Sequence, residues 1–288
     1  MGTNIVATLD ASTAGILVYW NLSGNVDSKD VEDALRAEGL DPEEWLPTPP
    51  TNEEVLKRAA EATTDGKRQM VRPLQKRGEF AIVTEKVVRN EKTGKDQLRY
   101  EHNVLIREED GRVRVLPVRE DDIGQANMVV ANVKLYTGLL MTTDISKWLM
   151  HVLERKVKAV GLRERGGFYF IPRDEMADWQ RIVRVIRTCS HHKLFEIPAM
   201  KTDEAVEAIL TSLRAEAAET MRRAEEYLAG EVSNKGLNSW EKKLAAVQEK
   251  AKHYADLLGV ALPDLVDKSE LLLGAVGTTR LMTESQAS

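Results

Sequence analysis

The chain has 288 residues, 42% hydrophobic and 30% charged, with a formal net charge of −5. This is the composition of a soluble globular protein with core enough for one large or two modest domains. A single cysteine, Cys189, excludes an internal disulfide, and apolar runs such as Gly15 to Tyr19 and Met128 to Ala131 are too short to cross a bilayer. The first residues, MGTNIVATLDAS, lack the basic start and apolar run of a signal peptide, so the expected location is the cytoplasm, without a membrane partner. Charge is uneven: residues 1–66 carry −9, 67–120 carry +5, 121–201 carry +4 and 202–288 carry −5. Two acidic ends flank a basic middle, which either meets an anionic partner or is neutralised within the monomer.

In chain order, IVATL (Ile5 to Leu9) and GILVYWNL (Gly15 to Leu22) are rich in β-branched and aromatic residues and read as strands around a Ser-Thr-Ala-Gly turn. Asp27 or Ser28 caps a short helix with Val31, Ala34 and Leu35 inward, and Asp41-Pro42-Glu43-Glu44 starts another. A further helix spans Asn52 to Thr63, with Val55, Leu56, Ala59 and Ala60 on one side. From Lys67 to Val118 the hydrophobic period drops to two. Gly78, Lys92-Thr93-Gly94-Lys95 and Glu109-Asp110-Gly111 supply turns, which predicts a four-stranded antiparallel meander with arginines on its exposed face. Asp121-Asp122 opens a helix with Met128, Val129, Val133 and Tyr136 as its apolar contacts.

The stretch from Asp144 to Thr188 reads as helix, short hairpin, helix. Asp144 is placed to cap the first helix, whose buried face is Ile145, Trp148, Leu149, Val152 and Lys156. Arg165-Gly166-Gly167 turns into the aromatic strand Phe168 to Ile171, and Met176, Trp179, Ile182, Val183 and Ile186 form the next apolar face. A helix, a basic turn and a short strand are the parts of a winged helix. The later strand LFEIPAM echoes FYFIP, a coincidence of three residue types that we attribute to chance.

Thr202 caps the longest helix. Val206, Leu210, Leu213, Ala217, Thr220 and Ala224, and then Trp240, Leu244, Val247, Ala251, Tyr254 and Leu258, step by four and three. Such heptad seams predict an antiparallel helical hairpin able to hold a protein partner, or a second copy, through residues 202–258. The expected organisation is α+β. A sheet-rich head (1–120) precedes a winged-helix-like helix-hairpin-helix unit (121–201), a coiled-coil hairpin (202–260) and a tail (261–288) that is partly disordered.

No phosphate loop, dinucleotide fingerprint, HExxH or GxSxG is present, so no catalytic residue and no cofactor is assigned. Cys189, His191 and His192 lack a second cluster at metal-finger spacing, and no metal site is assigned either. The leading expectation is a non-enzymatic scaffold or adaptor. One alternative is a protein that binds DNA or RNA through Lys147, Arg155, Lys158, Arg163, Arg165 and Arg173 on the central helix and wing. Another is a hydrolase or nuclease whose residues assemble from distant positions. Leu162 to Arg173, with the Gly-Gly-Phe-Tyr-Phe-Ile-Pro run, resembles a group of uncharacterised bacterial and bacteriophage proteins with a similar Gly-Gly-aromatic-aromatic-Pro signature. The resemblance implies a phage or phage-derived origin and no activity.

Overall fold

The computed structural model describes residues 13–76, 78–90, 95–109, 112–163 and 167–286. In chain order they form β1 (Thr13–Asn21), β2 (Val26–Asp27), α1 (Ser28–Ala37), α2 (Pro42–Trp45), α3 (Asn52–Glu61), β3 (Gln69–Pro73), β4 (Phe80–Arg89), β5 (Asp96–Glu109) and β6 (Arg112–Pro117). There follow α4 (Ile123–Tyr136), β7 (Leu139–Leu140), α5 (Thr142–Arg155), β8 (Val160–Gly161), β9 (Tyr169–Pro172), α6 (Met176–Cys189), β10 (Lys193–Met200), α7 (Asp203–Leu228), α8 (Asn234–Leu258) and α9 (Pro263–Gln286). The chain is α+β, with antiparallel sheets and a helical C-terminal region. The strand expected at Ile5 to Leu9 lies outside the described residues, as do the turns at Lys92-Thr93-Gly94 and Asp110-Gly111. No helix among the described residues is long and apolar enough to cross a membrane.

Two compact units emerge, one of residues 22–148 and 185–191, the other of 1–21, 149–184 and 192–288. Neither coincides with a head ending at residue 120. The reason is that β1 pairs not with its sequence neighbours but with β9 and β10, well over a hundred residues on.

In the unit of residues 22–148 the expected meander is present, in the order β3-β4-β5-β6 and antiparallel throughout. Its inner face, Phe80, Ile82, Val104 and Ile106, packs with Leu56, Ala59 and Ala60 of α3 and with Ala126 and Val129 of α4. Helix starts follow local chemistry: Asp27 caps α1, Asp41 caps α2 with Pro42 behind it, and Thr51 with Glu54 forms a capping box on α3. Asp144 is not the cap of α5 but sits in its first turn. Its Oδ2 accepts the Met141 amide at 2.9 Å, and its two oxygens accept both terminal nitrogens of Arg58 at 2.7 Å each.

In the other unit the sheet order is β10-β1-β9-β8. Gly15 is required in β1 because a Cβ there would lie 2.0 Å from the Ile171 carbonyl oxygen and against the Phe170 ring. Leu17 lies opposite Phe170 on one side and Ile197 on the other, so these three share one sheet face, while Ile16 and Ile171 share the reverse face. The two Ile-Pro strands are thus offset by one residue against β1, and their isoleucines point oppositely. The sequence echo has no structural counterpart.

Phe170 joins a core cluster with Leu213, Ala217, Leu244, Tyr254 and Leu258. The helices alternate in direction. Tyr227 packs near Trp240 and Glu216 bonds Lys250, so α8 runs antiparallel to α7, and Arg280 bonds Glu241, so α9 returns antiparallel to α8. The tail expected to be partly disordered is therefore a third helix as far as Gln286, with Leu265, Leu272 and Val276 buried. The seams are shared rather than strictly paired. On α7 the buried set is Ile209, Leu213, Ala217, Met221 and Ala224, because a helix with two neighbours and a sheet beneath it needs a wider stripe than a two-helix seam.

Candidate nucleic-acid interface

The helices leave one end of the β10-β1-β9 face uncovered, and that end is aromatic. Tyr19 follows Leu17 by two positions on β1 and therefore points to the same side. Its register partner Phe195 stacks on it with ring centroids 4.7 Å apart and planes 13° from parallel. On the other flank Phe168, just before β9, holds its ring 5.9 Å from that of Tyr19 at 32°. Three rings, from β1, β10 and the residue that leads into β9, thus form a ladder across the sheet.

Beside this ladder is a cleft of about 400 Å³ lined by Tyr19, Leu162, Arg163, Gly167 and Phe168. The hairpin that walls it closes with the Leu162 amide donating to the Phe168 carbonyl at 2.9 Å, and Gly167 takes φ +92°, a turn that a side chain would strain. Arg163 is exposed and forms no ion pair among the described residues, and Phe195 is 38% exposed. On the reverse face Trp20 stacks on Tyr169 at 5.4 Å, and the Tyr169 hydroxyl donates to the Met150 sulfur at 2.6 Å. Burial raises the Tyr169 pKa and keeps that phenol neutral, so the hairpin rests on an apolar, uncharged support.

The residues assigned from the sequence disperse. Lys147 belongs to the unit of residues 22–148 and lies 3.9 Å from Glu54. Lys158 lies beyond the end of α5, in a left-handed conformation at φ +47°, with its ammonium 3.2 Å from both Glu175 and Glu249. Burial alone would lower its pKa, but those two carboxylates hold it raised. Arg155 is exposed at the end of α5 and Arg173 opens the short turn before α6. Arg165 lies outside the described residues. Of the five that are described, Arg163 alone lines the cleft.

A cluster of Asp174, Glu175 and His253 has ligand atoms within 4.8 Å of one another. Lys158 already places an ammonium at Glu175, which meets the cluster's negative charge without a metal ion. Cys189 and His191 belong to one unit and His192 to the other. Burial pushes the Cys189 thiol up to about 11, which disfavours the thiolate that a metal or an electrophile would need. The seam residues Leu213, Leu244, Ala251, Tyr254 and Leu258 are all buried within their own unit, so a partner at 202–258 would have to use the outward, charged faces.

Residues 14–286 match the model of a family of unknown function, DUF6744. The chain belongs to that family. No curated protein and no solved structure matches it.

Tyr19, Phe168 and Phe195 are not singled out by the sequence, although each sits in a stretch that reads as strand. The available signal is the recurrence of an aromatic residue in three separate strands. What one sequence lacks is the pairing that puts β1 between β9 and β10.

Proposed function

We propose that the protein is a non-enzymatic, cytoplasmic binding protein that takes single-stranded nucleic acid on the Tyr19-Phe195-Phe168 ladder, with Arg163 reaching a phosphate. The observation that carries this reading is the ladder itself. A stack of rings can be continued by an unstacked base at its open end, here Phe195 on the edge strand β10, and one base stacked there contributes roughly 1–3 kcal/mol. Charge argues for single strands over duplex. The basic middle of the sequence is divided between the two units. The unit bearing the ladder has 20 Lys and Arg against 22 Asp and Glu, the other 21 against 24. Neither has the excess of cations that duplex binding by counterion release demands, whereas stacking needs no net charge.

The test is fluorescence anisotropy of labelled single-stranded DNA and RNA oligonucleotides, with duplex as control, at about 50 mM salt. Phe195→Ala is expected to weaken single-strand binding by roughly 5- to 150-fold, the equivalent of one lost stacking partner. Arg163→Ala should flatten the salt dependence by about 0.7 in log-log slope, one phosphate's worth for a single strand. Absence of binding by the parent protein at about 100 µM under those low-salt conditions, or a preference for duplex, overturns the proposal.

A further inference from the structure

Helix α4 carries a second surface that the ladder does not use. Its inward face is accounted for: Ala126 and Val129 are buried, and Val133 and Tyr136 pack on the same cluster. One flank is tied to α3 and the turn after it, where Asn132 donates to the Ala59 carbonyl at 3.4 Å and the Gln125 side chain to the Thr63 carbonyl at 3.0 Å. The remaining arc faces solvent and is mainly apolar, with Asn127 and Lys134 its polar members. Ile123, Met128, Val130 and Leu135 are 47%, 53%, 44% and 59% exposed, and Gly124, Asn127, Ala131 and Lys134 are exposed beside them. Lys134 is the one charged residue in that arc. Gly124, Met128, Ala131 and Leu135 step by four, three and four, so at 100° per residue they fall in one narrow stripe opposite the buried face. A contiguous apolar stripe on a helix is ordinarily covered.

We propose that this stripe is covered by the α4 of a second copy of the chain, in an antiparallel, two-fold symmetric pair. The stripe is self-complementary in shape. With Met128 of one copy set against Ala131 of the other, Gly124 falls against Leu135, so each large side chain meets a small one, and the two-fold repeats both pairs. It is self-complementary in charge as well. Exposed Glu120 and Asp121 precede the helix and Lys134 lies in its last turn. Antiparallel pairing brings the lysine of each copy to within about one turn of the other's acids, and it opposes the two helix dipoles. A single helix pair is smaller than the roughly 1,200–2,000 Å² of a standard stable interface, so the expected association is micromolar and concentration-dependent.

The experiment is sedimentation equilibrium of the full chain from about 1 to about 200 µM, a range that brackets the micromolar affinity expected of a small interface. The parent should pass from monomer to dimer. Met128→Glu should stay monomeric at every concentration with unchanged circular dichroism and melting temperature, because Met128 is exposed in the monomer. The register is read by cysteine cross-linking in a Cys189→Ser background. A Cβ at Gly124 meets nothing within 4 Å, so Gly124→Cys is accommodated. Mixing Gly124→Cys with Leu135→Cys protein should give mixed cross-linked dimers, and neither variant alone should cross-link. A parent that is monomeric throughout, a Met128→Glu protein that still dimerises, or cross-links within either single variant each overturns the proposal.

Discussion

Replacing Asp144 by asparagine tests whether the α3–α5 contact is held by charge or by packing. Both Asp144 oxygens accept from Arg58 at 2.7 Å, and the two side chains are 7% and 14% exposed. Burial alone would raise the carboxyl's pKa, but the Arg58 hydrogen bonds, the Met141 amide and nearby Lys147 outweigh it and hold the group below the usual carboxylate range. An amide in place of the carboxylate would keep the shape and leave the guanidinium without its counter-charge. Breaking one side of a buried pair costs about 3–5 kcal/mol, and the residual exposure of Arg58 places this case near the lower figure. At roughly 3–4 °C per kcal/mol for a unit of this size, Asp144→Asn should lower the melting temperature by about 10 °C at pH 7. Thermal unfolding followed by circular dichroism measures it.

The pH dependence has a definite sign. A carboxyl whose folded pKa is depressed stabilises fully above its unfolded value of ~3.9 and loses that contribution as pH falls through the folded one. The gap between parent and Asp144→Asn should therefore close in acid. The double change Arg58→Met with Asp144→Leu should recover much of the loss at pH 7, since an apolar pair carries no desolvation cost. An Asp144→Asn protein melting within ~2 °C of the parent, less than 1 kcal/mol, or a gap that does not narrow as pH falls below the unfolded carboxyl value of ~3.9, would refute the reasoning.

Further substitutions probe the sheet-and-helix unit that holds β1, and a thiol reagent probes Cys189 in the other. Gly15→Ala should prevent β1 from seating between β9 and β10, since its Cβ would lie 2.0 Å from the Ile171 oxygen, and the product should lack a cooperative melting transition. Leu213→Ala and Leu244→Ala, at 2% and 0% exposure, should each cost ~2–5 kcal/mol in urea unfolding, and unchanged midpoints would mean the three-helix core is not what holds this unit. Cys189 should react slowly with a thiol reagent at mildly alkaline pH and promptly after unfolding, because burial moves its thiol up to about 11. Rapid reaction in the native state would contradict that burial.

Local chemistry is legible wherever neighbours in sequence are neighbours in space. The caps at Asp27, Asp41 and Thr202 and the β3-β4-β5-β6 meander follow from short-range hydrogen bonding and hydrophobic period. Asp144 is recognisable as polar machinery at the start of α5, but its partner Arg58 stands 86 residues earlier and no local rule points to it. The heptad seams of α7 and α8 announce a helical hairpin. They do not announce that α9 and a sheet share the burial, because an apolar stripe records that something covers it and not what.

The aromatic ladder shows the same division most plainly. Tyr19, Phe168 and Phe195 are each readable as strand residues. That they form one surface depends on β1 pairing on both edges with segments far along the chain, and on register to the single residue. Hydrogen-bonded pairing across such distances is chosen by the collapse of the whole unit, so the sequence set which residues could stack and the tertiary structure decided that they do.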